Sequence, residues 1–305
     1  MKKIFFTLIL IFIVLNSLLY PTITITATKE ALSTWFYQVL PALLPFCMMN
    51  HLLVQTHWLS MGFLRNNFLA VLFVSLLGCI FGFPLGAKLT CSMYKEGRIS
   101  LPQAQILAVT SNQFSFMYIC GYVLPNVTDN SNFILAFCIL IYGLPGVIGI
   151  LLALLFKDKG SNHKNTASRF QLNMQIIDAG IVSSFETLIK LCGYIVIFSL
   201  LTATLSIFIT QSNPVLGILL CNLEITNGIG LFSKWDYSNK FKYILTTQLI
   251  SFGGICGLYQ SASILYPNGL SIKKYFIGKI TLSAVLTGIV CIFYDLFFLS
   301  VIYYG

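Results

Sequence analysis

Two charged residues stand where apolar sequence is interrupted, and each has neighbours able to bind a ligand. Lys88 closes the run Gly82-Phe83-Pro84-Leu85-Gly86-Ala87-Lys88. Gly and Pro there allow a sharp turn and close backbone approach. A helix restarting at that turn would set its N-terminal N–H groups beside the ammonium group. With Gly86 at the turn, this predicts a pocket for a small anion. The rival reading has Lys88 snorkel to the surface and only orient its segment. Glu224 lies in Leu223-Glu224-Ile225-Thr226-Asn227-Gly228, which offers a carboxylate, a hydroxyl and an amide at a second interruption. Glu224, Thr226 and Asn227 could bind a coupling cation, a proton or a donor on a substrate. Equally, the glutamate could cap the broken helix or pair with a buried lysine.

Two further stretches are polar inside apolar surroundings. Thr110-Ser111-Asn112-Gln113-Phe114-Ser115 is one, and Ser251-Phe252-Gly253-Gly254, followed by Gln260, is the other. An unsatisfied polar group in hydrocarbon costs several kcal/mol. Asn112, Gln113, Ser115, Ser251 and Gln260 must therefore face protein, water or ligand. Gly253 and Gly257 also read as a small-xxx-small helix contact. Glu186 and Lys190, four residues apart, read as a mutual ion pair. His51 and His57 flank a helix end and read as interfacial. None of the nine cysteines forms a CxxC pair or lies near a histidine at ligand spacing, so neither a metal nor a disulfide is expected. No nucleotide or hydrolase motif is present, so no cofactor and no enzymatic activity are expected.

These residues need elements to hold them, and composition names the kind. Of 305 residues, 57% are apolar and 9% charged, against roughly 25% charged in soluble domains. The chain reads as an all-α polytopic membrane protein with the lipid bilayer as its solvent. At about 20 residues per span, it holds about seven transmembrane helices. A water-soluble enzyme and a nucleic-acid binder are excluded. The net charge of +9 is scattered between apolar runs, as orientation by the positive-inside rule requires, and makes no single basic face.

Apolar blocks fall at 4–25, 31–53, 68–80, 101–124, 133–156, 180–209, 215–220, 244–265 and 275–303. Residues 1–30 form an N-terminal transmembrane helix, read as retained because its apolar stretch exceeds a signal peptide's and no small-x-small site follows. Residues 31–156 and 180–305 form two similar halves, separated by a basic cytoplasmic loop at 157–179. Each half carries a long helix, a broken segment, a helix with a polar break and a closing helix. The legs of the broken segments, about 9–14 residues each, are too short to cross. Three full crossings per half would invert the second copy, and interrupted segments at matching places in such repeats point to a midplane site. In the first half, Arg65, Lys95 and Arg98 share the side of Lys2 and Lys3, and Lys157, Lys159, Lys164 and Arg169 return to it. In the second half both flanks are basic (Lys234, Lys240 and Lys242; Lys273 and Lys274), so charge leaves open whether 214–232 re-enters or crosses.

The stretches Leu40-Pro41-Ala42-Leu43-Leu44-Pro45-Phe46 and Gly82-Phe83-Pro84-Leu85-Gly86-Ala87-Lys88-Leu89-Thr90, continuing to Gly97-Arg98-Ile99-Ser100, resemble the YlbJ family of sporulation membrane proteins. So do Leu223–Gly228 and Ser251-Phe252-Gly253-Gly254 with Gln260, in the same order. That family is similar to the nucleoside-recognition or Gate group, so each half would be a Gate-like repeat. The chain departs from the family after Asn112, where a small residue and a proline are usual and Gln113-Phe114-Ser115 stands here. The resemblance implies a transporter in endospore formation, moving dipicolinic acid across the outer forespore membrane. The expected substrate site comprises Lys88, Gly86, Asn112, Gln113, Ser115, Glu224, Thr226, Asn227, Ser251, Gly253, Gly254 and Gln260. Lys88 would hold a carboxylate of a small anionic solute, and Glu224 would tune charge or couple an ion. A nucleoside-type permease and a non-transporting scaffold are the alternatives, and homo-oligomerisation stays open.

Overall fold

A computed structural model describes residues 2–60, 62–127, 131–156, 170–208 and 214–302. The described residues are helical with short connections and contain no strand. Lys157, Lys159, Lys164 and Arg169 of the basic loop lie outside them. The chain is an all-α, multi-pass integral membrane protein.

The first helix, α1 (Lys2–Leu19), ends at Tyr20, whose φ of −127° and ψ of 62° leave the helical region before Pro21. Proline disfavours helix in the residue before it but suits the first position of the next helix. The boundary therefore falls at 20/21 and not near 30, and the expected apolar run 4–25 is divided between two helices. The second helix starts with α2 (Pro21–Thr34), passes through a wide turn at Trp35–Val39, and continues as α3 (Leu40–Gln55). The wide turn sits just ahead of Pro41 and Pro45, which lack the N–H that a regular helix needs.

Next comes a hairpin of two short helices, α4 (Asn67–Phe81) and α5 (Leu85–Lys95), packed against each other. An interrupted helix follows: α6 (Leu101–Thr110), an extended break, and then the single turn α7 (Phe116–Tyr118), which leads into further turns to Asn126. Helices α8 (Ser131–Cys138) and α9 (Leu144–Leu155) close the half.

The second half repeats this order. It has the long helix α10 (Met174–Phe208), which starts six residues before the expected 180. It has a hairpin of α11 (Pro214–Cys221) and α12 (Ile225–Phe232), and an interrupted helix of α13 (Asn239–Phe252) and α14 (Gly254–Leu265). The closing helix is α15 (Ile272–Ile302). Helices α11 and α12 have eight residues each, about 12 Å at 1.5 Å per residue. They pack against each other, and each leg is too short to cross by itself.

Five helices are long and apolar enough to cross a membrane: Pro21–Gln55, Ile134–Leu155, Met174–Ile207, Asn239–Asn268 and Ile272–Tyr294. Among the described residues that is five of the expected seven crossings. Large apolar side chains such as Leu135, Val147 and Leu151 point outward, as lipid-facing surface must. The two long helices, α2–α3 and α10, run against each other, and Trp35 Nε1 donates to the Leu188 carbonyl at 3.0 Å. Amide pairs tie the ends together. Asn67 and Gln103 exchange hydrogen bonds of 3.0 and 2.9 Å, and Gln105 brackets the Ser271 backbone ahead of α15.

Candidate functional site

Each hairpin tip plugs the interrupted helix of its own half. At the first tip Gly82 has φ +72°, and a Cβ there would strike the Ser115 backbone beyond the α6 break. Only glycine meets both demands. At the second tip, the Asn222 and Leu223 carbonyls accept from Ile255 and Cys256 N–H at 2.8 and 2.9 Å. Those donors are the freed first N–H groups of α14, exposed because Gly253 and Gly254 take φ of +90° and +64°. The halves then interlock. Helix α5 packs on α14, while Tyr118 Oη donates to Thr226 Oγ1 (3.1 Å) and Tyr122 Oη to the Thr226 carbonyl (2.8 Å).

Three cavities run through this centre. A vestibule of about 380 Å³ is lined by Lys88, Lys95 and Lys190, with Ser92, Thr187, Tyr194, Gln260, Ser263 and Asn268. Among the described residues, no Asp or Glu lines it. Its volume lies within the range of small-molecule sites, roughly 300–1,000 Å³. Gln260 also lines a central gap of only about 50 Å³, walled by Phe83, Phe114, Ser115, Tyr118, Glu224, Thr226 and Gly253. Thr226 in turn lines a third cavity of about 590 Å³ with Tyr122, Asn227, Ser199, Thr202, Lys29 and Lys234. Phe83, Phe114, Tyr118 and Tyr122 stack in sequence, with ring centroids 5.5, 5.2 and 5.4 Å apart. This column of rings passes the narrowing between the two large cavities.

The expected site residues divide by what they touch. Lys88 and Gln260 face the vestibule; Ser115, Glu224, Thr226, Gly253 and Gln260 face the central gap; Thr226 and Asn227 face the third cavity. Gly86, Asn112, Gln113, Ser251 and Gly254 line none of the three. Asn112 is fully buried and joins three elements. Its Oδ1 accepts from Ala87 N–H (3.2 Å), and its Nδ2 donates to Ser261 Oγ (2.8 Å) and Tyr275 Oη (3.1 Å). Gln113 returns its amide to the Val109 and Thr110 carbonyls, and Ser251 bonds Thr247 and Ser283. Gly86 lies against the Ser111 carbonyl, and Gly254 against Ile225 and the Asn222 carbonyl.

One expectation is overturned in its detail. Three of the first four N–H groups of α5 are not free for an anion beside Lys88. Gly86 N–H bonds Gly82 O, Ala87 N–H bonds Asn112, and Lys88 N–H bonds Pro84 O. A buried helix end must satisfy these donors, and protein groups do so here. The Lys88 ammonium instead lies 2.7 Å from His51 Nε2, which also meets Ser183 Oγ at 3.0 Å. Glu224 caps its own helix, accepting from Thr226 N–H (3.0 Å) and Asn227 N–H (2.8 Å).

Sequence reasoning missed four contributors. Lys190 had been assigned to Glu186 but lines the vestibule, as does Lys95, read only as an orienting charge. His51, read as interfacial, is buried behind Lys88. Lys279 is almost fully buried in α15 and donates to Asn112 O (2.7 Å) and Gln113 Oε1 (3.2 Å). There its charge meets the negative end of the α6 dipole. A lysine inside the apolar block 275–303 was itself a signal. The vestibule lysines carried none, since their convergence depends on which helices touch.

The chain is similar to the sporulation integral membrane protein YlbJ of Bacillus subtilis (strain 168). The two are 26% identical over 323 residues, covering 88% of this chain and 77% of that protein. No family model matches the chain, and no solved structure matches it.

Proposed function

We propose that this protein is a membrane transporter of a small anionic metabolite, with dipicolinic acid during endospore formation as the substrate. The observation that carries the reading is the vestibule, where Lys88, Lys95 and Lys190 converge and, among the described residues, no acidic side chain lines the wall. Charged groups inside a membrane protein face a water-filled cavity or a partner and mark solute paths. The vestibule, the central gap and the third cavity lie in series, sharing Gln260 and then Thr226. A dianion with two carboxylates matches two or more ammonium groups, and the YlbJ likeness supports a place in sporulation. On this reading the protein catalyses no covalent change and needs no cofactor.

The test is uptake of labelled dipicolinate into vesicles holding the purified chain, compared with the Lys88→Ala/Lys190→Ala variant. Saturable uptake that falls at least tenfold in the variant supports the reading. Uptake of a neutral solute with Lys88 dispensable would favour a nucleoside-type permease. Absence of flux with co-purifying membrane partners would favour a scaffold.

A further inference from the structure

Taking the anion-carrier reading of the vestibule as its basis, we propose that His51 is a proton-binding site that fills when the anion binds, so that one proton enters with each anion. Two groups converge on one imidazole nitrogen: Lys88 Nζ at 2.7 Å and Ser183 Oγ at 3.0 Å, both to Nε2. With Lys88 charged, its ammonium can only donate, which makes Nε2 the acceptor and puts the proton of a neutral ring on Nδ1. A second proton cannot settle on Nε2 in this arrangement, because two like charges would stand 2.7 Å apart. Lysine and imidazole together therefore hold a single positive charge when the vestibule is empty.

Lys88 is also a wall of the vestibule. Its ammonium rides on a flexible four-carbon stem and can turn toward a carboxylate. When it does, Nε2 loses its ammonium donor and its lone pair is open to a proton. Ser183 suits the protonated ring as well as the neutral one, because a hydroxyl that donates to a neutral ring can rotate and accept from a protonated one. The proton comes from solvent through the vestibule and forms one N–H bond on Nε2. The pair then carries two positive charges against the two negative charges of a dicarboxylate.

The surrounding groups permit this balance and do not replace it. From α10, Glu186 and Lys190 act on Lys88 with opposite sign, and exposed Asp178 lies two residues from Gly180, which faces the His51 Cβ. From α5 come Lys88 itself, Cys91 and Lys95 on the vestibule wall, and from α3 comes Cys47. Glu224 is a poor rival for the proton, since both its oxygens already accept backbone N–H groups of α12.

Titration calorimetry of dipicolinate binding to the purified full chain, at one pH in two buffers of different ionisation enthalpy (MOPS and Tris), counts the protons directly. The wild type is expected to give buffer-dependent heats corresponding to uptake of up to one proton per anion. Its affinity should rise by up to about tenfold per pH unit from pH 8 to pH 6, the slope that linkage sets for one proton. Carboxylates stay ionised over that range. His51→Gln keeps an acceptor for Lys88 but cannot be protonated, and its heats should agree between buffers whatever its affinity. Ser183→Ala should retain proton uptake. Wild-type binding with buffer-independent heat overturns the proposal, as does unchanged uptake in His51→Gln. Absence of any wild-type binding instead sinks the anion site, and the coupling with it. Should His51→Gln fail to fold, His51→Asn, also a neutral acceptor, takes its place with the same expected result.

Discussion

The two hairpins share an architecture and differ in what they do with charge. Each seats its tip in the interrupted helix of its own half. In the second hairpin the helix that leaves the tip is capped by Glu224, one of its own residues, and the carboxylate is occupied by Thr226 and Asn227 N–H. In the first hairpin the corresponding donor is satisfied by Asn112, a neutral amide from another element. No carboxylate is needed there, and the lysine one turn along α5 faces a cavity with a histidine behind it. The same backbone solution thus leaves the charged side chain of one hairpin tied to its own backbone and that of the other on a cavity wall. Which residue caps a buried helix end decides which charges remain for function.

Substitutions can break or sharpen this contrast. The largest effect is expected at the first tip, where Gly82→Val adds bulk against the Ser115 backbone at a φ only glycine tolerates. Folded, monodisperse protein should be lost on gel filtration. Gly253→Ala is the control, because φ there is +90° but the space is open. Its cost should be about 1–2 kcal/mol of strain, read as a modest fall in Tm. Recovery of well-folded Gly82→Val would show that the first tip is not seated as described.

Lys88→Met comes next. Losing one charged hydrogen bond to a carboxylate costs about 1.5–3 kcal/mol, so dipicolinate affinity should drop some 10- to 100-fold by calorimetry. Retained affinity would erase the difference between the hairpins. Glu224→Gln removes one of the two cap acceptors, and stability should fall by about 1 kcal/mol with anion affinity held within about threefold. A tenfold change in affinity would place Glu224 in the substrate site and make the second hairpin functional too. Lys95 is exposed at the vestibule mouth, where salt screens charge within about 10 Å at 0.1 M. Lys95→Gln should lower affinity less than threefold at low salt, and not at all at 0.5 M.

Much of the fold was legible because membrane burial is written along the chain. Apolar blocks gave the crossings, and Gly82–Gly86 and Leu223–Gly228 marked the hairpins, since legs so short cannot cross. Legibility failed at Tyr20-Pro21, where an apolar run hid a helix boundary that the proline alone announced. It failed again at Asn112 and Gln113. Polar residues in hydrocarbon were rightly expected to have partners, but their type does not reveal whether the partner is a solute or Ala87, Ser261, Tyr275 and Lys279.

By itself, then, the sequence determined the solvent, the all-α class, the two interruptions and the rarity of buried charge. These follow from local composition, because each segment meets the bilayer on its own terms. Only the tertiary structure decided that Lys88, Lys95 and Lys190 share a cavity, that His51 stands behind Lys88, and that Glu224 is a cap. His51 is 37 positions from Lys88 and Lys190 about 100, and the role of Glu224 hinges on which way one carboxylate turns. Electrostatic and hydrogen-bond energies depend on distances of a few ångströms, which spacing along the chain does not encode.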